Sequence, residues 1–441
     1  MTAPLFTPPV LAKAFSAAAR VERMLEAEAA LARAQARVGI IPDAAADAIA
    51  QACRAEAYDV DVLHQAATRA GNLAIPLVAA LTARVGTADA AAKGYVHWGA
   101  TSQDIIDTGL VLQLREGVRY IDAELARLCD ALATHADAHR LTVLPGRTWL
   151  QQASPVSFGH KLAACLAALD RDRARIAALA PRLFVVQLGG AAGNLAALGA
   201  EGVAVTQAMA DELDLGVPLA PWHTQRDTLG ECAAVLGILT ASVAKLARDL
   251  ALLAQTEVGE AFEPAAPGRG GSSTMPQKRN PVGAAVALAA ATRVPGLVAT
   301  MLTAAVQEHE RGLGNWPAEW DTLPQIAQLC GGAVVAMAEV VSGLTVDAAR
   351  MRANIDLTQG QIFAEALQMA LAPALGRDVA HELVGELCRR AAAEGLHVRD
   401  VVAADRQARA VLDDDALARL FDPVRYLGSS NAYIDRVLAA R

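Results

Sequence analysis

One short stretch in this alanine-rich chain carries the residue types of an anion-binding site. Residues 270–281 read GGSSTMPQKRNP, with three hydroxyls, two amides and two cations in twelve residues. Asn280 and Pro281 are typical of the N-cap and the first residue of a helix, so we expect the stretch to end at a helix N-terminus. Free N–H groups and the positive end of the helix dipole would then lie beside Lys278 and Arg279. The stretch therefore predicts a binding site for an anion.

The choice of lysine and the glycines before it indicate that this stretch is a functional loop. Only five of the 39 basic residues are lysines, so Lys278 places a compact ammonium in a chain that otherwise uses arginine. The glycines at 268, 270 and 271 give the first half of the loop the flexibility of a closing segment. It is not a phosphate-binding P-loop, because it lacks GxxxxGKS or GxxxxGKT and follows no strand. The alternative is a surface turn with solvated cations.

Four other segments gather polar side chains between apolar runs, and they contain all five tryptophans. The segments are 95–108 (YVHWGATSQDIIDT), 146–155 (GRTWLQQASP), 221–227 (PWHTQRD) and 308–320 (EHERGLGNWPAEW). A tryptophan joins a large apolar face to a donor N–H, which suits the wall of a ligand pocket. For any one of them the alternative is a helix end or a subunit contact. His97 fits a structural role and a substrate contact equally well, since polar residues 101–103 follow it closely.

Several other kinds of site have no sequence signal. The nine histidines show no HExxH or other metal-ligand spacing, so we expect no metal site. No GxSxG elbow is present, and no GxGxxG follows a predicted strand. The glycine-rich run 189–193 lies between predicted helices and is interpreted as a tight connection.

The rest of the chain predicts the helices that must position these segments. Hydrophobic residues make up 54% of the chain and aromatic residues only 4%, and the abundance of alanine favours an all-α fold. Apolar residues recur at three- and four-residue steps in five long runs, 104–140, 154–183, 228–263, 282–310 and 324–344. Five long helices with short polar connections predict a helical bundle, with a kink at Pro295. The run 228–263 is apolar around most of its circumference, which indicates burial against other subunits. No strand alternation is long enough to build a sheet.

Changes in helix length along the chain predict three helical domains. Shorter helices broken by glycine and proline form an N-terminal domain over 1–95, the long helices form a central bundle over 96–345, and shorter helices return in a C-terminal domain over 346–441. The net charge of −8 argues against nucleic acid and anionic membrane as partners. The apolar window 282–306 contains Arg293 and Pro295, so we expect a buried helix and not a membrane span.

The cysteines and the N-terminus predict a cytoplasmic protein. Six scattered cysteines with no CxxC spacing are typical of reduced, buried thiols. The first ten residues have no cationic or apolar segment of an export signal.

The polar segments together resemble the fumarase/aspartase superfamily. GSSTMPQKRNP at 271–281 is similar to the superfamily signature GSSxMPxKxNP, and GATSQD at 99–104, GRTWLQ at 146–151, TQRD at 224–227 and HER at 309–311 follow in the same order and spacing. The resemblance covers the whole chain. It implies a cofactor-free homotetramer with a central twenty-helix bundle, in which each active site draws segments from three subunits.

The resemblance also implies roles for residues in these segments. Ser272 matches the serine that acts as the carbon-acid base, and Lys278 and Asn280 match residues that bind a carboxylate. Thr101 and Ser102 match hydroxyls that hold a substrate carboxylate. The other predicted substrate contacts are His97, Gln103, Arg147, Thr148, Trp149, Gln151, Gln225, Arg226, Ser273, Met275, Arg279 and Arg311.

Trp149 departs from the superfamily pattern, and this departure limits which leaving group the reaction can have. Fumarases and adenylosuccinate lyases have THxQ where this chain has TWLQ, and the histidine serves in proton donation to the leaving group. Trp320 likewise stands where adenylosuccinate lyases tend to have an arginine. An amine or hydroxide must be protonated as it leaves, whereas a carboxylate is stable as an anion near neutral pH. A leaving carboxylate fits the lactone-forming cycloisomerase branch, which GRTWLQ and the EHERGLGNW segment resemble closely. This resemblance implies a small anionic tricarboxylate as substrate.

Two alternatives stay open at this point. One is a C–N lyase similar to adenylosuccinate lyase, which the two tryptophans disfavour. The other is a non-catalytic scaffold that keeps the fold, which an intact Ser272, Lys278 and Asn280 disfavour.

Overall fold

Helices make up most of the chain, as the computed structural model shows for residues 4–266 and 268–441; residues 1–3 and Pro267 lie outside the described part. In chain order the α-helices are α1 (Pro9–Ala14), α2 (Ala17–Val38), α3 (Asp43–Ala52), α4 (Val60–Ala70), α5 (Ala74–Ala88), α6 (Ser102–Ala138), α7 (Phe158–Leu183), α8 (Gly202–Leu213), α9 (Asp227–Leu253), α10 (Val282–Ala304), α11 (Asn315–Ser342), α12 (Ala348–Ile355), α13 (Ala364–Leu375), α14 (Arg377–Glu394), α15 (Val398–Ala404), α16 (Arg406–Arg409), α17 (Asp414–Leu420) and α18 (Ser430–Ala439). The all-α prediction is confirmed, and the six cysteines are free thiols as expected.

The five long predicted helices are present as α6, α7, α9, α10 and α11, with errors at their ends. Helix α9 ends at Leu253, ten residues before the predicted end, because the chain then turns into a short strand. Helix α11 begins at Asn315, nine residues before Pro324, which lies inside the helix. Helix α10 continues through Pro295. Pro295 and Pro324 thus lie inside helices, whereas Pro281 directly precedes the start of α10.

The prediction that the chain builds no sheet is wrong for two short ribbons. Strands β1 (Val143–Thr148) and β2 (Gln151–Ser157) form an antiparallel hairpin, and β3 (Ala261–Phe262) pairs with β4 (Thr345–Val346). The hairpin turn is Trp149–Leu150, whose φ angles of 52° and 65° are both left-handed. Two-residue turns of this kind normally use Asn-Gly or Asp-Gly, so the usual hairpin signal was missing from the sequence.

The chain divides into two compact units, each made of three segments. The first unit contains Met1–Leu125, Asp172–Ala244 and Val286–Ala336, and the second contains Ala126–Arg171, Lys245–Ala285 and Met337–Arg441. Helices α2, α3, α5 and α8 form much of the apolar core of the first unit, and α13, α14 and α15 form a core in the second. The units divide the long helices, so the predicted domain boundaries at 95 and 345 stay a prediction.

Three long helices are apolar enough to cross a membrane by length and composition alone. In α9 and α11, 61% and 67% of the most apolar window is buried within the chain, but in α10 only 33% is buried. The burial of α9 and α11 fits the predicted bundle. Helix α10 instead presents an apolar surface that its own chain leaves largely uncovered, including Leu302.

Candidate active site

The buried carboxylate of Asp104, in the first turn of α6, organises the polar cluster of the first unit. One oxygen accepts hydrogen bonds from the backbone N–H of Thr101 at 2.9 Å and of Gly190 at 3.0 Å. The other accepts from the N–H of Gly189 at 2.9 Å and lies 2.6 Å from Nε2 of His223. Asp104 thus holds the polar turn before α6 against the glycine-rich connection that the sequence predicted.

Arg311 contacts two of the predicted substrate residues in the same unit. Its guanidinium donates to Oγ1 of Thr101 at 3.0 Å and to Oε1 of Gln103 at 3.2 Å. The amide of Gln103 donates in turn to the carbonyl of His223 at 2.7 Å. The structure therefore brings Thr101, Gln103 and Arg311 together, although more than 200 residues separate Arg311 from the other two.

Arg226 is buried, and two acids of its own chain use its charge. Its guanidinium donates to Asp107 at 2.7 and 3.1 Å and to Glu319 at 2.6, 3.1 and 3.2 Å, and it lies 4.9 Å from the ring centre of Trp222. Burial alone lowers the pKa of Arg226, but the two carboxylates outweigh that effect and raise it. Because these contacts and a weak one to the Trp222 carbonyl engage all its N–H donors, Arg226 has none left for a substrate carboxylate. The expectation of a substrate contact does not fit this geometry.

His97 is held by a second buried acid, Glu28 on α2. Nδ1 of His97 lies 2.6 Å from Oε1 of Glu28, and His97 has a left-handed φ of 55°. Burial favours the neutral imidazole, but the charge and hydrogen bond of Glu28 and the charge of Asp104 raise the pKa of His97 overall. Because its pKa is raised, His97 can carry a positive charge in the segment that also contains Thr101.

In the second unit, Ser272 is the acceptor in a short turn of the signature loop. Its Oγ accepts hydrogen bonds from the backbone N–H of Met275 at 3.0 Å and of Thr274 at 3.3 Å. The base of the loop is closed by Asn280, whose N–H donates to the carbonyl of Gly270 at 2.8 Å. A Cβ on Gly270 would lie 2.6 Å from the Asn280 carbonyl oxygen, and φ there is +65°, so the position requires glycine.

The helix N-terminus after the loop is occupied, which corrects one prediction. Helix α10 begins at Val282, and the carboxylate of Glu263 accepts hydrogen bonds from the N–H of Gly283 at 3.0 Å and of Ala284 at 2.8 Å. These N–H groups are the ones that an anion at the helix end would have used. The side chains of Lys278 and Arg279 are then the cationic groups of the loop.

Those two cations, with Asn280, line a cavity of about 210 Å³ in the second unit. The lining also includes Glu263 and Arg269, which lie 3.7 Å apart. Arg269 also pairs with Glu339 at 3.0 Å, so its charge is shared between two acids. Lys278 and Arg279 of the loop are both exposed.

The hairpin carries Trp149 at its tip and Arg147 two residues before it. The guanidinium of Arg147 makes two parallel hydrogen bonds to Glu260, at 2.9 and 2.6 Å, and Glu260 is fully buried. Arg147 is therefore paired with a buried acid of its own chain. The side chains of Trp149 and Leu150 are 97% and 79% exposed, so this chain alone forms no pocket around the indole.

The predicted site residues thus fall into two groups. The first unit holds His97, Thr101, Ser102, Gln103, Gln225, Arg226 and Arg311, and the second holds Arg147, Thr148, Trp149, Gln151, Ser272, Ser273, Met275, Lys278, Arg279 and Asn280. Within the described residues, no cluster of three or more His, Cys, Asp or Glu side chains is placed to hold a metal.

Sequence reasoning missed the acids that position these residues. They are Glu28, Asp104, Asp107, Glu260, Glu263 and Glu319. Three of them lie inside polar segments that the sequence singled out, but Glu28 lies in the middle of α2 and carries no local signal.

Comparisons with known proteins identify the family of this chain. The model of a lyase family matches residues 6–296, and a model described as adenylosuccinate lyase C-terminus matches residues 360–437. The 3-carboxy-cis,cis-muconate cycloisomerase of Pseudomonas aeruginosa is 53% identical over 96% of this chain and 93% of its own, and that of Bradyrhizobium diazoefficiens is 52% identical over 99% and 97%. The crystal structure of 3-carboxy-cis,cis-muconate lactonizing enzyme from Pseudomonas putida matches with a TM-score of 0.94 at 51% identity, covering 98% of this chain and 97% of that one. The chain belongs to the fumarase/aspartase superfamily of lyases.

The buried contacts of Arg226 predict a large effect on stability. Arg226→Met leaves Asp107 and Glu319 buried without their cation, so we expect the free energy of unfolding to fall by about 3–5 kcal/mol. Thermal unfolding followed by circular dichroism measures the change. The matched control is Arg182→Met, which breaks an exposed pair with Glu231 and should cost less than about 1 kcal/mol. Equal unfolding midpoints for the two variants would contradict the prediction.

The raised pKa of His97 predicts a stability difference that depends on pH. Because the folded-state pKa lies above the unfolded value of about 6.5, the pair with Glu28 stabilises the fold fully below that pH. The stabilisation is lost as pH rises through the higher folded-state pKa of His97. The melting temperature of His97→Gln should therefore fall furthest below wild type in acid and approach it in alkali. His381→Gln, at an exposed site, should show no such trend; a parallel trend in both variants would refute the assignment.

Proposed function

We propose that this chain interconverts 3-carboxy-cis,cis-muconate and its carboxymuconolactone, without a cofactor, in the catabolism of aromatic compounds. The supporting observation is the match over almost the full chain, at 53% identity, to a relative that bears this activity in its name. The C–N lyase alternative is less well supported, because a tryptophan stands at 149 where the leaving amine would need an acid.

Ser272 is the base in the proposed mechanism. In the lactone-opening direction it takes the proton from the carbon next to a carboxylate. The electron pair of that C–H bond first spreads into that carboxylate as an aci-form, then forms the alkene as the ring C–O bond breaks, and the leaving oxygen becomes a carboxylate. Two backbone N–H groups already donate to Oγ of Ser272, and donors to this oxygen favour its deprotonated form. In the lactone-forming direction Ser272 returns the proton.

The negative charge that builds up during proton removal spreads into the neighbouring carboxylate. Lys278 and Asn280 are the proposed groups that stabilise it, an oxyanion-type role. Arg279 is placed beside them on the same loop and is the proposed partner of a second carboxylate. Lactone opening needs no proton donor for the leaving group, since the carboxylate leaves as a stable anion.

The remaining carboxylate is proposed to bind to Thr101, Ser102, His97 and Arg311. Arg311 is fixed by its hydrogen bond to Thr101. The remaining proposed contacts are Gln103, Thr148, Trp149, Gln151, Gln225, Ser273 and Met275. Arg147 and Arg226 become positioning residues in this proposal, because each pairs with a buried acid of its own chain.

A homotetramer with active sites shared by three subunits is the proposed assembly, and the cytoplasm the proposed location. Two observations support the assembly. The apolar surface of α10 is largely uncovered within one chain, and the indole of Trp149 is almost fully exposed. Neighbouring subunits would cover both surfaces. The proposal involves no nucleic acid and no membrane.

The decisive assay follows the conjugated diene of 3-carboxy-cis,cis-muconate, whose absorbance falls as the lactone forms. We expect wild type to consume this substrate, and to leave succinyl-AMP compounds and argininosuccinate unchanged. Turnover of either of the latter with no loss of diene absorbance would overturn the proposal in favour of a C–N lyase. No turnover of any of them would favour the non-catalytic scaffold.

Removing the proposed base should abolish most of the turnover without changing assembly. For Ser272→Ala we expect kcat to fall by about 100- to 10,000-fold, the usual contribution of a general base. Light scattering should show the same tetramer for variant and wild type, which separates lost chemistry from lost assembly. Activity within a few-fold of wild type would exclude Ser272 as the base, and an active monomer would exclude the shared site.

Trp149 should serve the reaction through its apolar face and not through proton transfer. A dry indole wall strengthens the cationic contacts to the substrate, so Trp149→His should lower kcat/KM by loosening that wall. Trp149→Phe keeps the apolar face and should cost much less. The difference between the two values measures lost transition-state stabilisation. A Trp149→His variant faster than wild type would show that an acid is useful, and would return the choice to the C–N lyase.

A further inference from the structure

The short strand β3 has a buried or nearly buried acid at each end, and each acid holds one of the two proposed active-site segments of the second unit. Glu260 precedes the strand and binds Arg147 of the hairpin. Glu263 follows it and caps the helix after the signature loop. The proposed mechanism uses neither carboxylate directly. The environment of Glu260 is the more restrictive of the two.

Glu260 makes three strong hydrogen bonds in a fully buried site. Arg147 donates to its two oxygens at 2.9 and 2.6 Å in a fork arrangement, and Nδ2 of Asn354 donates to Oε1 at 2.7 Å. Paired donors from a planar guanidinium restrict orientation as well as distance. The backbone of Glu260 is held as well, since its carbonyl accepts from the N–H of Asp347 at 3.0 Å.

The same cluster restrains both strands of the hairpin close to its tip. Arg147 on β1 lies opposite Gln152 on β2, and the amide of Gln152 donates to the carbonyl of Asn354 at 2.9 Å. Glu260 and Asn354 therefore hold the two members of one cross-strand pair. Only the pair Thr148–Gln151 separates this anchor from the Trp149–Leu150 turn.

The tip has little else to fix it within the chain. Trp149 and Leu150 both have left-handed backbone angles, a conformation that persists in such residues only where the surroundings impose it. Their side chains are almost entirely exposed, so no packing on the tip imposes it. The charge contact that anchors the strands beside the tip is the pair of Arg147 with Glu260.

We propose that Glu260 is a positioning residue for the reaction, which sets the place and angle of the Trp149 indole through Arg147 and Asn354. The inference rests on the proposed function, in which Trp149 forms a wall of the substrate pocket. It differs from a general role in stability, because the effect of Glu260 on the reaction must then pass through Trp149. An acid that only supports the fold would act independently of that side chain.

A double-mutant cycle between Glu260 and Trp149 distinguishes the two roles. Glu260→Gln keeps the shape and should lower kcat/KM by about 10- to 100-fold through misplacement of the tip. In the Trp149→Ala background the same change should have almost no further effect. Losses that multiply in the double variant would overturn the proposal.

The matched control is Glu365→Gln. Glu365 also binds the hairpin, through Oγ of Ser154 at 2.8 Å, but it is exposed and lies farther from the tip. It should keep kcat/KM within about two-fold of wild type, as surface changes away from a site usually do. A loss in this variant equal to that of Glu260→Gln would show that the tip does not depend on Glu260 in particular, and would overturn the proposal.

A spectroscopic measurement tests the same point without relying on turnover. Protein labelled with 5-fluorotryptophan has five fluorine resonances, one for each tryptophan, and Trp149→Phe identifies the one from the tip. Glu260→Gln should shift or broaden that resonance and leave those of the buried Trp222 and Trp316 unchanged. An unshifted tip resonance overturns the proposal even if wild type proves inactive on the muconate, a result that would count against the proposed function alone.

Should Glu260→Gln fail to fold, Arg147→Lys provides the second variant. It keeps the positive charge beside Glu260 but replaces the fork of N–H donors with a single ammonium. The fluorine resonance of Trp149 and the cycle with Trp149→Ala should respond as for Glu260→Gln. A tip resonance and kcat/KM equal to those of wild type would overturn the proposal.

Discussion

The polar part of the first unit depends on the buried ion pairs that Arg226 makes with Asp107 and Glu319. Asp107 reaches it from α6 and Glu319 from α11, so three segments far apart in sequence converge on one guanidinium. Two negative charges and one positive charge buried together are stable only while all their hydrogen bonds are made, because a lone buried charge costs several kcal/mol. Asp107 also accepts from the indole of Trp316 at 3.1 Å and from Gln103 at 3.1 Å. The elements that carry Gln103 and Arg311 are therefore tied to the same centre.

Buried or nearly buried acids also hold other polar segments of this apolar chain in place. Asp104 holds the turn before α6, Glu28 holds His97, Glu260 holds the hairpin and Glu263 holds the start of α10. Alanine, leucine and valine offer no hydrogen bonds, so an irregular backbone between such helices needs an acid to accept its N–H groups or to pair its cations. Among the described residues, four of the seven non-glycine residues with left-handed φ lie in the polar segments, at His97, Trp149, Leu150 and His309. The strain is concentrated in the segments that the buried acids hold in place.

The sequence could predict those features whose signal is carried by residues close together in the chain. Helix periodicity repeats every few residues, so α6 and α7 were placed to within a few residues. The signature loop was found because its residue types are unusual in their surroundings. Arg147 and Glu260 are 113 residues apart, and a pairing over that distance leaves no local pattern in the sequence. For this reason both Arg147 and Arg226 were predicted to bind substrate. The prediction of a free N-terminus at α10 was wrong for the same reason, since Glu263 lies twenty residues before the Gly283 N–H group that donates to it.

In the proposed tetramer, the exposed tip connects the assembly of the protein to its chemistry. Two left-handed residues cost on the order of 1–3 kcal/mol each, whereas burying an indole of roughly 200 Å² returns about 5 kcal/mol. A partner surface over Trp149 would therefore offset the strain that one chain leaves uncompensated. The same burial would remove water from the substrate and strengthen the contacts of its carboxylates to cations. A dry wall without an acid is compatible with a leaving carboxylate, which needs no proton, but not with a leaving amine, which does. Assembly and leaving-group preference thus place the same demand on residue 149.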